Sequence, residues 1–169
     1  MKVVLVVFLS LFFGFSVLAQ NGDSRNVSIE AILLARDDGN GKAGEETAVF
    51  LINDIPIHCL VQLNSMKPTS VKMNLIAVSV AGVKPETKVV TTSYKTNGSQ
   101  NRVNFTGTPD GVWIIGKYRV DIFIDGKLSA NREFEVQKSA SQKIEDKIQI
   151  KLKLKSNLKP KIANRIRKN

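Results

Sequence analysis

The sequence is poor in the residues that staple or catalyse: one cysteine, one histidine and one tryptophan among 169. A single cysteine excludes an intramolecular disulfide, so the fold must be held by burial alone. A single histidine leaves no second imidazole to complete a zinc set. The two singletons, His58 and Cys59, are adjacent in the chain. Neighbours on a strand face opposite sides, so these two form neither a nucleophile–base pair nor a shared metal site. His58 is accordingly read as an exposed surface residue and Cys59 as a small buried hydrophobe. Also missing, up to residue 136, is any apolar stripe of helical period. Parallel α/β architectures need crossover helices, and none is legible.

Charge is present but segregated. The chain carries a net +10. Residues 137–169 hold eleven Lys and Arg against Glu145 and Asp146, while residues 20–136 are formally neutral. Two parts with different jobs are expected: a body at 20–136 and a basic C-terminal tail at 137–169. Ahead of them stands MKVVLVVFLSLFFGFSVLAQ, one Lys and an apolar run ending in Val17-Leu18-Ala19. This reads as a signal peptide over 1–19 with cleavage after Ala19, giving a secreted or periplasmic protein. An uncleaved N-terminal membrane anchor is the rival reading.

The body shows short apolar runs separated by turn chemistry. Strands are expected near Val27–Ala35, Ala48–Ile52, Ile55–Leu63, Ser70–Val80, Lys88–Lys95, Arg102–Gly107, Lys117–Ile124 and Leu128–Val136. Asn97-Gly98 and Asp125-Gly126 are dipeptides that tolerate the positive φ of tight hairpins. The pattern predicts an all-β antiparallel sandwich of seven or eight strands with a basic C-terminal tail. Alternation puts Ile55, Ile57, Cys59, Val61 and Leu63 on one face, and Tyr118, Val120, Ile122 and Ile124 on another. A strict two-residue turn at Asp125-Gly126 would set Asn131 and Glu133 opposite Val120 and Tyr118 and expel Phe134 and Val136 from the core. A three-residue loop or a bulge near Ser129–Asn131 is therefore required.

Cys59 on the third strand and Tyr118-Arg119-Val120 on the penultimate one resemble the Cys and Tyr-x-Cys of an immunoglobulin-like domain, over about residues 27–136. Trp113 in the run W-x-x-G-K-Y-R-V resembles secreted bacterial modules of that kind. Val120 stands where the second cysteine would be, so the family's inter-sheet bridge is absent, and Met73 stands where its core tryptophan would be. The resemblance implies a sandwich that hosts adhesion, carbohydrate binding, chaperoning or spacing.

No chemistry emerges from the motifs. DDGNGKAGEE fails the hand-type calcium pattern, because Lys42 and Val49 fall where oxygen ligands belong. A looser site from Asp37, Asp38, Glu45 and Glu46 stays open. Asn26, Asn97 and Asn104 head N-x-S/T triplets, which matter only in a eukaryotic secretory pathway. No catalytic residue, no metal site and no cofactor is expected, and the chain reads as a non-enzyme.

Two features remain. Ile76, Val78 and Phe123 point outward, a candidate apolar partner-binding face. In the tail, Ile148, Ile150, Leu152 and Leu154 alternate with polar residues, a two-residue period, and Pro160 is expected to interrupt any helix. The tail is thus open to three readings: disordered, an edge strand, or surface-bound. Its cations Lys151, Lys153, Lys155, Lys159, Lys161, Arg165, Arg167 and Lys168 suit an anionic lipid or lipopolysaccharide surface. The absence of aromatics there argues against nucleic acid. The expected function is an exported binding or interaction module with an unknown protein or polysaccharide partner, held to an anionic envelope surface by its tail. A carbohydrate-binding accessory domain, with Trp113, Tyr94 or Tyr118 as its platform, is the alternative. An enzyme without a recognisable motif comes third.

Overall fold

The computed structural model describes residues 26–166, with side chains to residue 156. The export segment 1–19 and its cleavage point lie outside the described residues. So do Arg167, Lys168 and the side chains of Lys159, Lys161 and Arg165.

Among the described residues nine strands and one helix follow in order: β1 (Ile29–Asp37), β2 (Ala43–Glu46), β3 (Val49–Leu51), β4 (Ile57–Leu63), β5 (Ser70–Val80), β6 (Thr87–Lys95), β7 (Arg102–Gly107), β8 (Gly116–Ile124), β9 (Lys127–Gln137) and α1 (Ala140–Ile166). The strands form two sheets, ordered β2-β1-β4-β7 and β3-β9-β8-β5-β6. This is an immunoglobulin-like order, with A-B-E in one sheet and G-F-C-C′ in the other. Two details depart from expectation. β2 lies inside a segment read as loop, because Gly44, Glu45 and Glu46 carry little strand propensity. β3 pairs with β9 in parallel, Phe50 against Val136, so the sandwich is not wholly antiparallel.

The β8–β9 hairpin resolves its register conflict by a bulge. Ile124 pairs with Lys127 across a true two-residue turn, and the register then shifts so that Ile122 meets Ala130 and Tyr118 meets Phe134. Asp125 at φ 47° and Gly126 at φ 84° supply the positive φ values this turn needs. Ser129 is the extra residue. Asp125 also fastens the turn to β5: its carboxylate accepts from the Ser70 amide at 2.9 Å and the Thr69 hydroxyl at 2.8 Å.

The core gathers inward side chains of both sheets, among them Leu34, Cys59, Val61, Val71, Met73, Leu75, Val103, Phe105, Val120 and Ile122. At one end Phe134 stacks on Tyr118 at 5.2 Å and meets the edges of Phe50 at 5.5 Å and Trp113 at 6.4 Å. The polar tips of this cluster are satisfied by backbone. Trp113 Nε1 donates to the Asp54 carbonyl, and the Tyr118 hydroxyl donates to the Ile114 carbonyl four residues upstream. The latter is the tyrosine corner of immunoglobulin-like sandwiches. Gly116, where β8 enters the sheet, runs so close to β5 that an added Cβ would sit 2.7 Å from the Val80 Cα.

The tail is a helix, against the expectation of a disordered or strand-like segment. Its start is a capping box. The Ser139 hydroxyl accepts from the Gln142 amide at 3.2 Å, and the Gln142 side chain accepts from the Ser139 amide at 2.9 Å. The two-residue alternation of Ile148 to Leu154 does not make a strand, since a strand needs a neighbour for its backbone and Lys, Gln and Leu are good helix formers. Nor does Pro160 end the element, which runs on to Ile166. Ser156, whose carbonyl the proline leaves without a donor, is exposed to water.

Burial drives the Cys59 thiol up to about 12, so this cysteine is an unreactive core residue. Cys59→Ser is expected to cost about 1–3 kcal/mol, read from denaturant unfolding, because the hydroxyl finds no partner there. A bulky thiol reagent should label the native protein slowly. The Asp125 carboxyl is held below its ordinary value, chiefly by the Ser70 amide and then by the Thr69 hydroxyl. A depressed carboxyl stabilises the fold above its unfolded value of about 3.9 and loses that contribution as pH falls through the folded value. Asp125→Asn should therefore lower the melting temperature at pH 7, and the gap to the parent protein should shrink on descending to about pH 3.

Candidate functional site

Each sheet presents an outward face. On the five-stranded sheet, register places Phe123 beside Lys72 and Leu128, and Ile76 beside Arg119 and Lys88. Between these rows lies the polar row of Asn74, Asp121, Asn131 and Thr91. Ile76 does point away from the core cluster, as alternation requires, but it is only 7% exposed. Its cross-strand neighbour Arg119 is pinned by Asp121 at 2.8 Å and Glu86 at 2.9 Å. Val78 is the extra residue where β5 bulges between Ala77 and Ser79. The three residues expected to form one apolar face are thus not continuous. Phe123 is half-buried, with the Lys72 ammonium 4.3 Å from its ring centroid.

On the four-stranded sheet, His58 corrects the expectation of an exposed residue. It faces away from Cys59, as adjacency demands, yet is 1% exposed. β4 is a central strand, flanked by β1 and β7, and both flanks supply a partner to the ring. Nε2 lies 2.9 Å from Asp37 Oδ2, and Nδ1 lies 3.4 Å from the Asn104 amide nitrogen. A carboxylate only accepts and an amide nitrogen only donates, so the tautomer with its proton on Nε2 satisfies both. The Cys59 thiol takes no part in this set, for it lies across the sheet in the core. The acidic loop is spent on structure in the same way. Asp37 and Asp38 accept from the amides of Gly39, Gly41, Asn40 and Lys42, and Glu45 pairs with Arg36 at 2.7 Å. Among the described residues no three His, Cys, Asp or Glu side chains gather as a metal set.

The aromatic platform read from Trp113, Tyr94 and Tyr118 does not assemble. Trp113 and Tyr118 belong to the core, and only Tyr94 is exposed. Trp113 instead lines a cleft of about 400 Å³ where the two sheets part between β6 and β7. Met73, Leu75 and Phe105 share its walls, with the half-exposed Val89 and Val90 among its lining residues. Among the described residues no charged side chain lines it. The sequence reading took Trp113 as part of an exposed platform and foresaw no cleft beside it. The signal available was Val89-Val90, an apolar pair that one alternating strand cannot bury on a single face.

The helix is the second unanticipated surface. Every side chain from Lys143 to Ser156 is exposed, so α1 does not pack on the sandwich over these residues. Its N-terminal end is tied by Lys138 to Asp146 and by Gln142 to Asn53. Ile144, Ile148, Ile150, Leu152 and Leu154 are each at least half exposed. At 3.6 residues per turn these five occupy an arc of a little over half the circumference. The same arc carries Lys143, Lys147, Lys151 and Lys155, while Glu145, Asp146 and Gln149 fall on the remainder. Among the described residues no helix is long and apolar enough to cross a membrane.

Phe123→Ser tests the outer face. It should shift the melting temperature only slightly, because the ring is outside the core cluster and its cation contact is worth about 0.5–1 kcal/mol at an exposed site. A loss of many degrees would place the ring in the core.

No known protein family matches the sequence, and no curated protein does. Among solved structures the chain is similar to an immunoglobulin-like protein from Pseudomonas aeruginosa, with a TM-score of 0.47 and 13% identity, over 69% of this chain and 100% of that one. It is also similar to a Pseudomonas fluorescens alkylpurine DNA glycosylase bound to DNA containing an abasic site analogue, with a TM-score of 0.42 and 16% identity, over 66% of this chain and 30% of that one. The chain thus spans under a third of the glycosylase's length. The strand order of this chain itself defines the two sheets of the sandwich.

Proposed function

We propose that this protein is an exported, non-enzymatic binding module whose C-terminal helix holds a near-neutral immunoglobulin-like sandwich to an anionic envelope surface. The observation that carries the reading is the composition of one arc of α1. Exposed isoleucine and leucine share that arc with lysines, and no acid falls within it. Such an arc suits an interface where aliphatic groups enter the headgroup boundary and lysine stems lie along them with their ammonium groups in water. The basic residues further along, Lys159, Lys161, Arg165, Arg167 and Lys168, extend the same charge. The apolar N-terminal run supports export. The carbohydrate reading is weaker, because two of its three aromatic residues are in the core.

Vesicle co-sedimentation tests this directly. Full-length protein lacking residues 1–19 should bind vesicles containing phosphatidylglycerol and not those of phosphatidylcholine alone. Binding should fall steeply with salt, since each lysine near the surface contributes about 1 kcal/mol and is screened beyond a Debye length. Truncation after Gln137 should abolish binding and leave the melting temperature nearly unchanged, because β9 ends there and α1 lies off the sandwich. Ile148→Ser with Leu152→Ser should weaken binding and leave its salt dependence intact. Failure of the full-length protein to bind anionic vesicles at low salt would remove the tether.

A further inference from the structure

The sandwich has four sheet edges among the described residues, and three of them are blunted. β2 has four residues and a register shift where it meets β1, and β3 has three residues. β6 is longer, but its pairing slips at Val89 and it carries Lys88 and Lys95. Short strands, bulges and lysines are the usual defences against unwanted pairing. β7 has none of them. Its register with β4 is unbroken from Ile57–Gly107 to Gln62–Arg102. It holds no lysine or proline, and its one charge, Arg102, is at its start. No described strand pairs with its outer edge. Beside that edge opens the uncharged cleft over Met73, Leu75, Phe105 and Trp113.

We propose that the outer edge of β7 is an acceptor site for an extended peptide segment of a partner protein, which adds as a strand and seats alternate apolar side chains in the cleft. The edge supplies backbone N–H and C=O groups for the pairing, and the cleft supplies the side-chain selection. With a period of two, a strand laid along the six residues of β7 directs roughly three side chains inward. Those side chains must be uncharged, since nothing in the lining would compensate a buried charge. A second copy of this chain does not fit the site. It would offer its own β7, whose inward Val103 and Phe105 are already buried in its own core, and the cleft would stay unfilled. A small apolar molecule would fill the cleft and leave the edge amides as they are.

Trp113 is the only tryptophan of the chain and lines the cleft, so its emission is read there without contribution from another indole. The probe is an eight-residue peptide alternating valine with threonine, with one lysine and one glutamate at its ends so that the basic tail does not attract it. Full-length protein is titrated with this peptide and with the same peptide N-methylated at alternate amides. The unmodified peptide should shift the Trp113 emission saturably and slow hydrogen exchange at alternate amides of residues 103–107. N-methylation should weaken binding by at least about tenfold. Thr106→Lys, an exposed position on β7, should do the same with an unchanged melting temperature. Equal binding of the two peptides would mean that the cleft takes apolar groups without strand pairing, and would overturn the proposal. It would also fall if neither peptide moved the emission, if Thr106→Lys bound normally, or if the free protein dimerised in a way that Thr106→Lys reversed.

Discussion

One inserted residue, Ser129, decides which half of β9 is buried. Side chains alternate along a strand, so a pairing shifted by one residue would have turned Glu133 inward against Tyr118 and Phe134 out into water. With the bulge in place Phe134 lands opposite Tyr118 and stacks on it. Phe50, Trp113 and Tyr118 then share one aromatic neighbour, and β3 finds β9 in the register that sets Phe50 against Val136. The end of the sandwich where β3, β8 and β9 meet depends on that single offset. Upstream, the offset is bounded by the Asp125-Gly126 turn, which fixes the first pair and is itself fastened to Thr69 and Ser70.

The rest of the core does without the covalent bridge that immunoglobulin-like domains often place between sheets. Cys59 and Val120 line the same small void at the sandwich centre, both nearly inaccessible. The two-sheet arrangement is closed on one side and open on the other. On the closed side β1 packs toward β9, and Arg36 reaches Glu45, Asp54 and the Val49 carbonyl to bind the crossing segments. On the open side β6 and β7 leave the cleft that Trp113 lines. The stabilising contacts are therefore lateral as well as central.

Much of this was legible in the residues. Strand positions follow from alternation and turn dipeptides, and the need for a bulge follows from counting residues across Asp125-Gly126. The Tyr118 corner was foreshadowed by Tyr118-Arg119-Val120. What was missed shares one cause: periodicity assigns a direction to a side chain and says nothing about what covers it. His58 points outward from the core and is covered by Asp37 and Asn104, which come from β1 and β7. Ile76 points outward and is nonetheless buried. The tail alternates with period two, but with no strand beside it that pattern has nothing to pair with, and the local signal that mattered was Ser139-x-x-Gln142.

The position of α1 has a geometric consequence. It starts three residues after β9 ends, and β9 lies next to the edge strand β3, on the margin where β1 approaches. β7 closes the opposite margin of the other sheet. The margin that continues into the helix and the margin bearing β7 are therefore separated by the width of the sandwich, so a strand added on β7 and the helix would occupy different sides of the body. Only Lys138 and Ser139 stand between strand and helix, and the capping box holds the second of them to the first turn of α1.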